Sequence, residues 1–171
     1  MAKRRPKPIF TVGYQGVSID QLLDSLVDAG VTMVVDTRDT PNSRRADFRS
    51  TRIAQALGQR SISYISLPEL GAPRALRDLA SRWHEFAAGY QSRLRQNADA
   101  VSRVVRLASN ESVCLLCFED DPLACHRSLL LEELERQLPA AHTLHLRPRW
   151  VDQADDGEGV GMLLHGAEDQ A

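Results

Sequence analysis

The chain reads as an α/β protein, a single Rossmann-like three-layer sandwich built on a mostly parallel sheet of about five strands. Three observations predict this. Short apolar runs alternate with longer segments of helical periodicity from Ile9 to Leu146. One of those runs, "VTMVV" at 31–35, is apolar almost throughout, as a strand covered on both faces must be. The segments between runs are long enough to hold the crossover helix that a parallel neighbour requires.

In order, 9–14 is the first β-type run. Ser18 then opens a Ser-x-x-Gln capping box ahead of Leu22, Leu23, Leu26 and Val27 at helical spacing, and Gly30 closes that helix from just beyond its end. The second strand, "VTMVVDTR", terminates in Asp36 and Arg38. After the loop "DTPNSRRADF" a helix is expected at about 50–58, followed by the strand "ISYISLP" at 62–68. Two helices follow the "ELGAPR" turn, at roughly 76–90 and 92–109, the second with Val101, Val104, Val105 and Ala108 on one face. The strand "VCLLCFE", a helix from His126 and the strand "HTLHL" complete a domain spanning 9–148. Residues 1–8 read as a flexible basic arm, and 149–171 as a flexible, acidic, Gly-rich tail that docks through the apolar clump at 162–164.

With 171 residues, 43% hydrophobic, the chain has material for one domain and its core. A formal net charge of -2 gives no global attraction to a polyanion or a membrane surface, so nucleic acid would need a local basic cluster. Nineteen of the 21 basic residues are arginine, which reflects compositional bias or a need for planar, bidentate donors to phosphate and carboxylate. No apolar run is long enough to span a bilayer, and the basic start lacks a following signal-peptide core; a cytoplasmic protein without membrane partners is expected. Cys114, Cys117 and Cys125 are an odd set without secretory context and are expected to be thiols.

In an open parallel sheet, ligands bind where loops leave the carboxyl ends of the strands. The first strand leads to Gly13, Tyr14, Gln15 and Gly16, and the second to Asp36, Arg38, Ser43, Arg44 and Arg45. The third leads to Glu69 and Gly71, and the fourth to Cys117, Glu119, Cys125, His126 and Arg127. Any one of these clusters is adequately explained as an ordinary polar loop. Their agreement along one edge points instead to a shared site.

The motifs "TVGYQG", "DTR" with "PNSRRADF", "LPELG" and "CFEDDPLACHRSLL", in that order, resemble the DUF488 family of domains of unknown function over 9–146. The resemblance implies a Rossmann-like fold and a site location, without an activity. The matching positions are Gly13, Asp36, Arg38, Ser43, Glu69, Gly71, Cys117, Glu119, Cys125, His126 and Arg127; Ala72 stands where many relatives have a second glycine.

The last motif admits several chemistries. A helix starting near Cys125 would favour a thiolate there, helped by His126 or Arg127, so Cys125 is the better candidate nucleophile; Cys117 reads as a strand-end thiol, and Cys114, on the opposite side of the pleat, as core. The thiol-phosphatase pattern fails, since Leu123 and Leu131 stand six residues after Cys117 and Cys125. Cys117, Glu119, Cys125 and His126 are all metal-ligand types, but Cys-x7-Cys-His lacks the tight pair of structural zinc sites, and a further ligand would come from His84 or Glu69; metal is not the favoured reading, and no cofactor is named. Anion binding by Arg38, Arg44, Arg45 and Arg127 asks least, against the alternative that arginines pair with Asp36, Glu69 or Glu119. A purely structural "CHR" stays open as well.

The expectation is therefore a small enzyme, hydrolase or group transferase, binding an anionic substrate such as a nucleotide or nucleic-acid fragment. Arg38, Arg44 and Arg127 would hold the anion with Gly13, Tyr14, Ser43, Glu69, Gly71 and Cys117 around it. Glu119 or Asp36 would serve as base, and Cys125 with His126 as nucleophile or acid. The rival is a non-enzymatic metal-, redox- or nucleotide-sensing module.

Overall fold

The computed structural model describes residues 7–148 and 162–163. Most of the expected basic arm and acidic tail thus lies outside the described residues. Alternation of strand and helix is realised as β1 (Ile9–Gly13), α1 (Ile19–Asp28), β2 (Met33–Asp36), α2 (Ser50–Gln59), β3 (Ser63–Ser66), α3 (Arg74–Arg77), α4 (Trp83–Gln96), α5 (Ala98–Ala108), β4 (Val113–Cys117), α6 (His126–Gln137) and β5 (Thr143–Leu146). These five strands form one parallel sheet in the order β3-β2-β4-β1-β5. A two-residue strand, β6 (Met162–Leu163), lies antiparallel on β5. Among the described residues, no helix is long and apolar enough to cross a membrane.

Local signals behave as the chemistry requires. Ser18 Oγ accepts from the Gln21 amide at 3.1 Å while the Ser18 amide donates to Gln21 Oε1 at 2.9 Å, so two orphan N–H groups of α1 are satisfied reciprocally. Gly30 takes φ +70° beyond the last turn, a conformation that glycine adopts without steric penalty. Leu22 and Leu26 of α1 are fully buried, each contributing about 1.5–3 kcal/mol relative to exposure.

Pleat alternation divides the core in two. Val12, Val34, Cys114 and Leu116 point to the face covered by α1 and α2, while Val35, Val113 and Leu115 point to the face covered by α4, α5 and α6. Cys114 is accordingly core, as expected.

The helices after β3 depart from expectation. The break predicted near residue 91 falls at Asn97, and a separate short α3 precedes α4. Asn97 leaves the helical region (φ -114°, ψ 37°), and its Nδ2 donates at 2.9 Å to the Arg93 carbonyl, which also accepts from the Asn97 amide, so residue 97 itself closes the last turn of α4. Gly89 stays inside α4, where a Cβ would come within 2.5 Å of Leu76 Cδ2, so its bare surface lets α3 lean on α4.

The strand order fixes where a ligand can enter. Chain progress from β1 to β3 runs outward to one edge, then β4 returns to lie between β1 and β2. Loops after β1 and β2 lead to the α1–α2 face, whereas the loop after β4 leads to α6 on the other. Neighbouring loops therefore part at the carboxyl end of β4, the topological switch point where a crevice opens.

Candidate functional site

β4 ends on Cys117, whose place in the pleat aims it at the α4–α6 face. Eight residues on, Cys125 is the N-cap of α6 and His126 its first residue. The connecting loop folds back so that Glu119 Oε2 lies 2.6 Å from Cys117 Sγ and 3.3 Å from Cys125 Sγ. His126 Nδ1 faces the same sulfurs, at 3.8 Å from Cys117 and 3.6 Å from Cys125. One donor atom from each of the four residues thus falls within 4.8 Å of the others, a grouping that could hold a metal ion.

Two contacts fix the loop. The Glu119 carbonyl sits so close to Gly13 that a Cβ there would be 1.7 Å from its oxygen, so only glycine fits. Arg127, 1% exposed, donates from Nη1 to the same carbonyl at 2.5 Å and from Nη2 to that of Asp120 at 2.9 Å. Gly71 plays the same part for the neighbouring loops, since a Cβ there would meet Asp39 N at 2.1 Å. The imidazole is oriented from behind: His126 Nε2 lies 3.0 Å from the Thr37 carbonyl, which can only accept, so Nε2 carries the proton. Tyr90 backs the ring edge-on at 5.3 Å and donates to the Leu70 carbonyl.

Burial by itself would raise the Cys117 thiol, but hydrogen bonding from Cys125 and the charge and hydrogen bond of His126 take it well below its ordinary value. Burial, then the hydrogen bond and charge of Cys117, push Cys125 up, and burial and the Cys117 charge push Glu119 up. Burial works against a charged His126, yet the Cys117 thiolate raises it overall. These directions favour the ionised form of Cys117 over that of Cys125, whereas the helix N-terminus alone pointed to Cys125.

Beside the cluster a cavity of about 440 Å³ is lined by Cys117, Glu119, Cys125 and His126, with Arg38, Asp39, Arg77, Phe86 and Phe118 among its other walls.

The arginines divide differently from expectation. Arg38 reaches the cavity wall, but its guanidinium is occupied: Nε and Nη2 bind the two oxygens of Asp36 at 2.8 and 2.5 Å, and Nη1 donates to Tyr14 Oη and the Phe48 carbonyl. Tyr64 Oη adds a third bond to Asp36 at 2.6 Å, so this fully buried carboxylate is a closed structural pair and not an available base. Arg45 donates to the Tyr14 and Val17 carbonyls, and Arg127 to those named above. Arg44 is exposed and does not line the cavity. Ser43 accepts from the Arg45 amide, Tyr14 stacks on Phe48 at 4.2 Å, and Glu69 is exposed away from the cluster. The wall arginine with the looser attachments is Arg77, half exposed, which donates to the Ala72 carbonyl and lies 4.0 Å from Asp39. Thr37 stands inside the "DTR" motif without having been singled out, and Arg77 carries no sequence signal.

The family model described as "Domain of unknown function DUF488" matches residues 18–134. The chain belongs to the DUF488 family. Neither the curated proteins nor the solved structures yield a match. The DUF488 match runs from the cap of α1 into α6, so it encloses the Asp36–Arg38 pair and all four members of the cluster, while Gly13 and Tyr14 precede it.

Proposed function

We propose that this DUF488 domain is a small enzyme, a hydrolase or group transferase, that takes a small anionic substrate, phosphate-bearing or a nucleotide, into the cavity at the carboxyl edge of the sheet. One observation carries the reading. Two thiols, a carboxylate and an imidazole converge on the wall of a cavity that opens at the switch point of the sheet. A cluster serving only to hold the fold together has no use for open space beside its reactive atoms. The same space weighs against a purely metal- or redox-sensing module, for which a buried cluster suffices.

The anion-holding part falls to Arg77, a half-exposed residue of the cavity wall with N–H groups beyond the one given to the Ala72 carbonyl, whereas the other guanidinium of the wall, that of Arg38, is already saturated. Phe86 and Phe118 give the cavity apolar walls that suit the uncharged part of such a substrate. The cluster supplies the reacting group.

Thermal shift against inorganic phosphate, phosphomonoesters and nucleotides tests this. At least one of these should raise the wild-type Tm in a concentration-dependent way, and Arg77→Ala should remove that shift while leaving the unliganded Tm within about 2 °C of wild type, as expected of an exposed side chain. If no member of the panel stabilises the wild type, or if Arg77→Ala responds as the wild type does, the reading is overturned.

A further inference from the structure

We infer that Cys117, Glu119, Cys125 and His126 bind one divalent transition-metal ion of the zinc class, and that this ion is the reacting group of the cavity. The inference deepens the enzymatic reading above and rests on it for the ion's role, though not for its binding.

Geometry comes first. A tetrahedral ion with bonds of about 2.3 Å to sulfur and about 2.0–2.1 Å to nitrogen sets its sulfur and nitrogen ligands about 3.6 Å apart. The separations from His126 Nδ1 are 3.6 Å to Cys125 and 3.8 Å to Cys117. All four donor atoms already lie within 4.8 Å of one another, so the ion needs side-chain adjustments of about an ångström or less, with the short Cys117–Glu119 contact opening.

Proton count points the same way. The Thr37 carbonyl holds the proton of neutral His126 on Nε2, leaving the lone pair of Nδ1 directed at the two sulfurs. A ligating histidine anchored through its other nitrogen to a backbone carbonyl is the usual outer-shell arrangement of metal sites. Without an ion, a carboxylate oxygen and an imidazole nitrogen each face both sulfurs, four donor atoms crowded into one volume. A single cation satisfies all four at once. Two thiolates, a carboxylate and a dication leave one net negative charge. Arg127 meets it: Nη1 lies 3.9 Å from Cys125 Sγ, and among the described residues this buried guanidinium has no carboxylate in ion-pair range.

The donor set selects the class of ion. Two thiolates with an imidazole suit zinc, iron(II) or cobalt(II) and disfavour magnesium or calcium, which take oxygen ligands. Glu119 is the hard and least buried ligand and borders the cavity, which makes it the one to yield to water or substrate. A Cys2His site with an exchangeable fourth position is catalytic in type, since a closed structural site keeps all four ligands. Bound there, the ion would act as a Lewis acid and lower the pKa of a coordinated water.

Titration of the metal-free full-length protein with cobalt(II) tests the assignment. The expected result is saturation at about one equivalent, with a thiolate-to-cobalt band in the near ultraviolet and the visible bands of a tetrahedral site, both displaced by zinc. Cys114→Ser, on the opposite face of the sheet, should leave the spectrum unchanged, while Cys117→Ser and Cys125→Ser should each weaken binding at least about 100-fold. Glu119→Gln keeps both thiolates and the imidazole, so it should bind cobalt more weakly with its thiolate band intact, which guards against Cys variants that fail to fold. A wild-type protein with no thiolate-to-cobalt band and no zinc uptake overturns the inference, as does a band that Cys114→Ser abolishes. Repeating the titration on Arg77→Ala separates the two readings. Loss of the anion response with cobalt binding intact supports both, whereas an anion response in a wild type that takes no metal overturns the ion alone.

Discussion

Replacing Arg38 by leucine tests whether the Asp36–Arg38 pair is the structural clamp that its geometry describes. The substitution removes two charge-assisted bonds to Asp36, at 2.8 and 2.5 Å, and the donors to Tyr14 Oη and the Phe48 carbonyl at 3.0 and 2.8 Å. Asp36 keeps Tyr64 Oη and the backbone amide of residue 38, but its charge loses its Arg38 guanidinium in a site with no solvent exposure. Breaking one side of a buried, hydrogen-bonded ion pair typically costs about 3–5 kcal/mol, chiefly because the surviving charge stays desolvated. At about 2–4 °C per kcal/mol for a chain of this size, a loss of about 4 kcal/mol lowers Tm by roughly 8–16 °C. Urea denaturation followed by circular dichroism should show the same loss as a lower midpoint with an unchanged slope. Adding Asp36→Asn removes the orphaned charge, so the double variant should be less destabilised than the sum of the two single changes. A cost below about 1 kcal/mol for Arg38→Leu, or strict additivity in the double variant, would refute the clamp and return Arg38 to the cavity as a free anion donor.

Other expectations concern parts around the site. Gly13→Ala drives a Cβ into the Glu119 carbonyl, which Arg127 holds in place, so it should lower stability by about 1–3 kcal/mol; a Tm within a degree of wild type would mean the loop has room to move. Tyr90→Phe leaves the Leu70 carbonyl without its 2.5 Å donor and should cost about 1–3 kcal/mol in urea, with the cobalt spectrum unaltered because the ring still backs His126. The Arg136 hydrogen bond holds Glu133 below the usual carboxylate range, so the stabilisation is present above the ordinary carboxylate pKa and lost as pH falls through the lowered folded one. Arg136 is largely exposed, so Glu133→Gln should cost only about 0.2–1 kcal/mol at pH 7 and nothing in strong acid; an equal cost at both pH values would place its origin elsewhere.

Much of the fold was legible because its signals are local. The Ser18–Gln21 box, Gly30 and the near-continuous apolar strand each act within a few residues, and pleat parity alone separated Cys114 from Cys117. The separate α3 was hidden, since its packing across Gly89 is a contact between elements. The convergence of loops on the carboxyl edge was legible from topology, and pairing of Asp36 with one arginine was among the alternatives. The fate of the other arginines was not: Arg45 and Arg127 bind main-chain carbonyls, which leave no trace in residue identity. The closeness of the four donor atoms was hidden for a related reason. Tight cysteine pairs mark groupings built on one turn, whereas here a strand end and a helix N-terminus converge, and Glu119 from the same loop brings a fourth donor atom within 4.8 Å of the others.

The two glycine contacts have a consequence for how this chain can change. Gly13 against Glu119 and Gly71 against Asp39 join loops main chain to main chain, with no side chain between them. Exposed positions such as Arg44 and Glu69 are therefore free to vary without disturbing the alignment of Cys117, Cys125 and His126. Lengthening any one of these loops, by contrast, would have to be matched in its neighbour. Drift in such a lineage should be permissive in surface chemistry and strict in loop length.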